Sequence, residues 1–156
     1  MFLQDFQEVD RPWEEVVARL TADTDALLAG ALDTARSEDE QLRARVGPPG
    51  WPAMLAKTVA IHPGSVRSYG DTVLLAFSWE ATTGTSLFPR LDADLEVAPM
   101  GPGRTQLALR ARYEPPGGAL GRGVDQLLLH RLAESTIRVF LLRICAGLTG
   151  EVPEVD

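Results

Sequence analysis

RLDADLEVAPMGPGRTQLALRARY, running from Arg90 to Tyr113, splits into two alternating runs around Pro99-Met100-Gly101-Pro102-Gly103. In the first run Leu91, Ala93, Leu95 and Val97 fall on one side, and Arg90, Asp92, Asp94 and Glu96 on the other. In the second, Leu107, Leu109, Ala111 and Tyr113 oppose Gln106, Arg110 and Arg112. A period of two means a strand with one dry and one wet face, and the glycine- and proline-rich centre predicts a turn. The reading is therefore two strands, Leu87 to Val97 and Thr105 to Tyr113, paired as an antiparallel hairpin. That pairing sets Asp94 opposite Arg110 and Asp92 opposite Arg112. Each exposed pair adds only about 0.2–1 kcal/mol, but together they penalise a one-residue slip of register. The charges thus have a structural explanation that needs no catalytic carboxylate.

Working outward, Thr72 to Ala81 is rich in β-branched and aromatic residues and reads as a strand with Val73, Leu75, Phe77 and Trp79 inward. Before it, Leu55 to Ile61 reads as a strand ended by His62-Pro63-Gly64. Ser65 to Tyr69 reads as a second, short one leading into a tight Gly70-Asp71 turn. Phe2 to Val9 alternates loosely and is placed near a sheet edge. The segment DRPWEEVVARLTAD predicts a helix with Asp10 as N-cap, Pro12 in the first turn, and Glu14 and Glu15 at the positive helix end. Thr24 to Arg45 continues in helical style, with Leu27, Leu28, Ala31 and Leu32 on one side, until VGPPGWP breaks it. Beyond Pro115-Pro116-Gly117-Gly118, Leu120 to Ala146 predicts one helix of about 40 Å at 1.5 Å per residue. Its apolar residues cover more than half the circumference, so it must be buried widely, across a curved sheet.

The bulk properties narrow the function. The 156 residues are 45% hydrophobic and 24% charged, which suits one globular domain. Residues 1–148 are assigned to that domain and 149–156 to a loose acidic tail. A formal charge of −7 without any basic run argues against sequence-independent nucleic-acid binding and against anionic lipid surfaces. Cys145 is the single cysteine, set between Ile144 and Ala146, and reads as a small buried thiol. With no 18-residue apolar stretch and an N-terminus interrupted by Gln4, Asp5, Gln7 and Glu8, the expected location is the cytosol, without membrane insertion.

The element order, together with VDRPWEEVVARLTAD near the start and YEPPGGALGRGVDQLLLHRLAESTIRVFLLRI near the end, resembles the SRPBCC or START-like helix-grip superfamily. That superfamily includes START domains, the birch-pollen-allergen fold and bacterial polyketide cyclase/dehydrase-like proteins. The resemblance implies an α+β helix-grip fold: a curved antiparallel β-sheet wrapped around a long C-terminal α-helix, with two short helices after the first strand. It also implies a cavity for an apolar molecule between sheet and helix. It does not carry chemistry over, because members range from enzymes to carriers.

On this reading the cavity candidates are Val73, Leu75, Phe77 and Trp79, then Leu91, Leu95, Leu107, Leu109 and Tyr113, and from the helix Leu128 and Leu132. Two polar groups stand near them. His130, with Glu134 one turn later, has the spacing of a metal or acid–base pair. Two ligands are too few for a zinc site, so a helix-surface contact at the margin of the packed face is the simpler reading. Lys57 alternates in phase with Leu55, Val59 and Ile61. Either Ala56, Thr58 and Ala60 form the inward set, or the lysine reaches a cavity mouth; an unpaired buried ammonium is costly. No nucleophile elbow, phosphate loop or metal spacing is present, and no catalytic residue, metal or cofactor is assigned. The leading expectation is a non-enzymatic binder or carrier of a small hydrophobic, lipid- or polyketide-like molecule. The alternatives are a polyketide cyclase/dehydratase-like enzyme, using Lys57, Tyr113 or His130, and a protein-interaction adaptor or homodimer without ligand.

Overall fold

The computed structural model describes residues 2–32, 59–81, 90–114 and 126–150. Among them are β1 (Phe2–Val9), α1 (Trp13–Ala22), α2 (residues 24–32), β2 (Val59–Tyr69), β3 (Thr72–Ala81), β4 (Arg90–Pro99), β5 (Thr105–Glu114) and α3 (Gln126–Thr149). The strands make one sheet in the order β1-β5-β4-β3-β2, antiparallel at every junction. Three helices pack on its inward side. This is the helix-grip α+β architecture, and β1 is an edge strand as its polarity predicted.

The hairpin has the expected register, with Asp92 opposite Arg112 and Asp94 opposite Arg110. Arg110 nevertheless donates to Glu96, its diagonal neighbour, at 2.9 Å. Leu91, Ala93, Leu95 and Val97 of β4, and Leu107, Leu109, Ala111 and Tyr113 of β5, are all buried. So are Val73, Leu75, Phe77 and Trp79 of β3. Opposite them lie Val16 and Leu20 of α1, Leu28, Ala31 and Leu32 of α2, and Ile137, Phe140, Leu141 and Ile144 of α3. The Phe140 ring stands 5.4 Å from that of Phe77 and meets Trp79 edge-on at 4.9 Å, so an aromatic cluster joins α3 to β3.

Three boundaries differ from the sequence reading. His62-Pro63-Gly64 does not end a strand: β2 runs through it, and the register jumps between Pro63 and Val66 in a bulge. Proline is tolerated because β2 is an edge strand, where a missing N–H breaks no ladder bond. Gly64 is required by space, since a Cβ there would lie 2.8 Å from the Ala76 carbonyl oxygen. Asp10 does not cap α1; the Pro12 carbonyl accepts the first-turn bond from Val16 N–H at 3.1 Å, and Asp10 pairs with Arg104 instead. Helix α3 passes the predicted end at Ala146 and includes Gly147, whose missing side chain leaves room for Leu27 of α2. It stops at Gly150, whose φ of 74° allows its N–H to return to the Ala146 carbonyl at 2.9 Å.

No basic residue lies in the last turn of α3, so α1 and the segment before it supply the charge. Arg19 donates to the Leu148 carbonyl at 2.9 Å and Arg11 to that of Thr149 at 3.5 Å. Asp23 opens α2 by accepting from Ala26 N–H at 3.1 Å. Thr149 and Gly150, assigned to the loose tail, close the end of α3. The expected continuation of α2 to Arg45, the strand start at Leu55, Leu87, the helix start at Leu120 and the rest of the tail, 151–156, lie outside the described residues.

Candidate functional site

The inward face is largely apolar because the alternation of β3, β4 and β5 delivers mostly dry residues to that side, while β1 adds Asp5 and Gln7 and β5 adds Thr105. Of the expected cavity residues, Val73, Leu75, Phe77, Trp79, Leu91, Leu95, Leu107, Leu109 and Tyr113 all point inward and none exceeds 4% exposure. They are therefore almost fully closed over. Leu128 and Leu132 belong to α3, but their side chains lie outside the description, and Lys57 lies outside it altogether.

This closed face has an open margin. Helix α3 packs most closely on β1 and β5, at the far side of the sheet from β2. Val66 stands directly opposite Leu75 across the β2–β3 ladder, so it shares the inward face, yet it is 47% exposed while Leu75 is fully buried. Ile61, opposite Trp79, is half-buried. The apolar lining thus continues onto β2 past the part that is covered. Val66 escaped the sequence reading because the bulge shifts its phase relative to Ile61. A wider hollow of about 630 Å³ lies on the opposite, wet face, bordered by Phe2, His62, Asp92, Asp94 and Arg112. It is charged and broadly open.

Of the polar candidates, His130 and Tyr113 lie at the other side, near the seam between β1 and α3. His130 Nε2 stands 3.2 Å from Glu134 Oε1, the one-turn contact that the spacing predicted, at the margin of the packed face. Its ring stacks on Tyr113 with centroids 6.4 Å apart and planes at 26°. Burial raises the Tyr113 hydroxyl above its ordinary value of 10.0, and the nearby Glu134 carboxylate adds to the shift. Asp5 and Arg138 complete the seam: Arg138 Nε lies 3.5 Å from Asp5 Oδ2. Neither was singled out from the sequence. The signals were there, since Asp5 alternates in phase with buried Leu3 and Val9, and Arg138 follows His130 and Glu134 at i+8 and i+4. Among the described residues no cluster of His, Cys, Asp and Glu forms a metal-binding group. Cys145 is buried, and burial pushes its thiol up to about 12, which leaves it inert as a nucleophile at neutral pH.

No protein-family model matches the chain, and no curated protein matches it. Solved structures do. A conserved protein from Geobacillus kaustophilus aligns at a TM-score of 0.51 and 15% identity, over 96% of both chains. TTHA0849 from Thermus thermophilus aligns at a TM-score of 0.51 and 12% identity, over 96% of this chain and 98% of that one. The Zhui aromatase/cyclase from a Streptomyces species aligns at a TM-score of 0.45 and 11% identity, over 97% and 99%. At these identities the likeness is one of fold alone.

Proposed function

We propose that the protein is a non-enzymatic binder of a small apolar molecule, held against the inward face of the sheet and admitted along β2. The observation that carries this is Val66, an apolar side chain on the inward face, cross-strand from a fully buried Leu75 and itself about half exposed. A continuous apolar surface that ends in water is a position where a ligand gains about 25 cal/mol for each Å² it covers. Apart from Thr105, whose hydroxyl donates to the Arg11 carbonyl, the inward side chains of β3 to β5 are aliphatic or aromatic, which suits a lipid- or polyketide-like occupant with few polar groups. A ligand reaching further in replaces side-chain contacts around Phe77 and Trp79, so occupancy should be accompanied by repacking there. Of the polar groups that an enzymatic reading would use, Tyr113 and His130 lie at the opposite, α3 side of the sheet, and Lys57 lies outside the described residues.

Titration with a neutral apolar fluorophore such as N-phenyl-1-naphthylamine tests this. Saturable one-to-one binding is expected, and Val66→Asp should abolish it while leaving the thermal unfolding midpoint unchanged, because the site is exposed. Binding that does not saturate, or that survives Val66→Asp intact, would remove the proposal.

A further inference from the structure

The seam between β1 and α3 encloses a recess of about 180 Å³, lined by Leu3, Asp5, His130, Glu134 and Arg138 among others. At about 30 Å³ per water-sized group it has room for roughly half a dozen heavy atoms. Two buried polar atoms in its wall have no hydrogen-bond partner, Asp5 Oδ2 and His130 Nδ1. Buried polar atoms are satisfied in the great majority of cases, so two orphans in one small recess require an explanation.

Their chemistry is the same. Asp5 Oδ1 already accepts from Phe6 N–H at 2.9 Å, and Oδ2 has only the Arg138 guanidinium at 3.5 Å, an ion-pair distance beyond ordinary hydrogen-bond length. On His130 the contact of Nε2 with Glu134 at 3.2 Å puts the proton of the neutral ring on Nε2, which leaves Nδ1 as a bare acceptor. Both orphans therefore call for donors. The surrounding charge selects among donors: Asp5 and Glu134 against Arg138 leave the recess with a negative excess when His130 is neutral, within a chain of net −7.

We propose that this recess is a second binding site, separate from the apolar face, for a small primary amine in its ammonium form. The ammonium donates to Asp5 Oδ2 and His130 Nδ1, and its short alkyl group lies against Leu3 and Ile137. An anion would find only the exposed Arg138 there, against the carboxylates of Asp5 and Glu134. The Arg138 side chain, itself 68% exposed, competes with the amine for Asp5.

The chain has two histidines, so NMR of the imidazole resonances reads His130 with His62, on β2, as internal control. Methylammonium chloride, titrated at constant ionic strength, should shift His130 saturably and leave His62 in place. Tetramethylammonium, with the same charge and no donor, should not shift it. Losing one charge-assisted hydrogen bond, Asp5→Asn should weaken methylammonium binding about tenfold or more. Arg138→Gln, a change at an exposed side chain, should bind at least as tightly as wild type. Equal shifts with both cations, equal shifts of both histidines, or no saturable shift in either wild type or Arg138→Gln would overturn the site and leave the two acceptors to water.

Discussion

Phe77 is buried between Trp79 and Phe140, with ring separations of 6.1 and 5.4 Å. If the face is packed as tightly as its burial indicates, Phe77→Ala should cost about 3–5 kcal/mol, read from chemical denaturation. A markedly smaller loss would mean that the ring lines a void. Cys145 and Tyr113 give a prediction about pH. Burial raises both groups, the thiol from its ordinary 9.0 to about 12. The folded chain thus holds these protons to higher pH than the unfolded chain does. Their contribution to stability is complete below about pH 9 and is lost as pH rises toward 12. Urea midpoints measured between pH 8 and 11 should fall more steeply for wild type than for Cys145→Ala; parallel curves would contradict the assignment. The buried thiol was legible from its neighbours Ile144 and Ala146. The seam residues Asp5 and Arg138 were not, because each is a single polar residue whose partner is remote in sequence.

At the scale of elements, β4 and β5 were readable to the register because both alternate without interruption and their charges are complementary. β2 was misread for a physical reason: a proline and a glycine signal termination in sequence, but on an edge strand they build a bulge. The bulge depends on Gly64. Any side chain there meets the backbone of Ala76, not the movable end of a side chain. Gly64→Ala should therefore cost about 1–3 kcal/mol and loosen amide protection around Pro63 to Val66 in hydrogen exchange. An unperturbed variant would show that the bulge has slack. The start of α1 was misplaced because Asp10, a good cap in isolation, is drawn to Arg104, which also bonds Glu8. The end of α3 was placed too early because Gly147 serves the crossing with Leu27, while Gly150 performs the termination.

For the whole molecule, the grip of a sheet on a long helix was visible in the order of patterns, and the five-stranded antiparallel sheet with α3 packed on it bears out that fold. Which part of the inward face is sealed was not visible, because that depends on where α3 lies across the sheet. It lies toward β1 and β5, and so the apolar lining meets solvent at β2. None of the described helices is long and apolar enough to cross a membrane. The central claim is that this lining holds an apolar molecule. Native mass spectrometry of gently purified protein, before and after organic extraction, tests it most directly. The account predicts a one-to-one adduct that extraction removes and that Val66→Asp lacks. Only the bare chain mass in both preparations, with no adduct regained on adding apolar ligands, would contradict it.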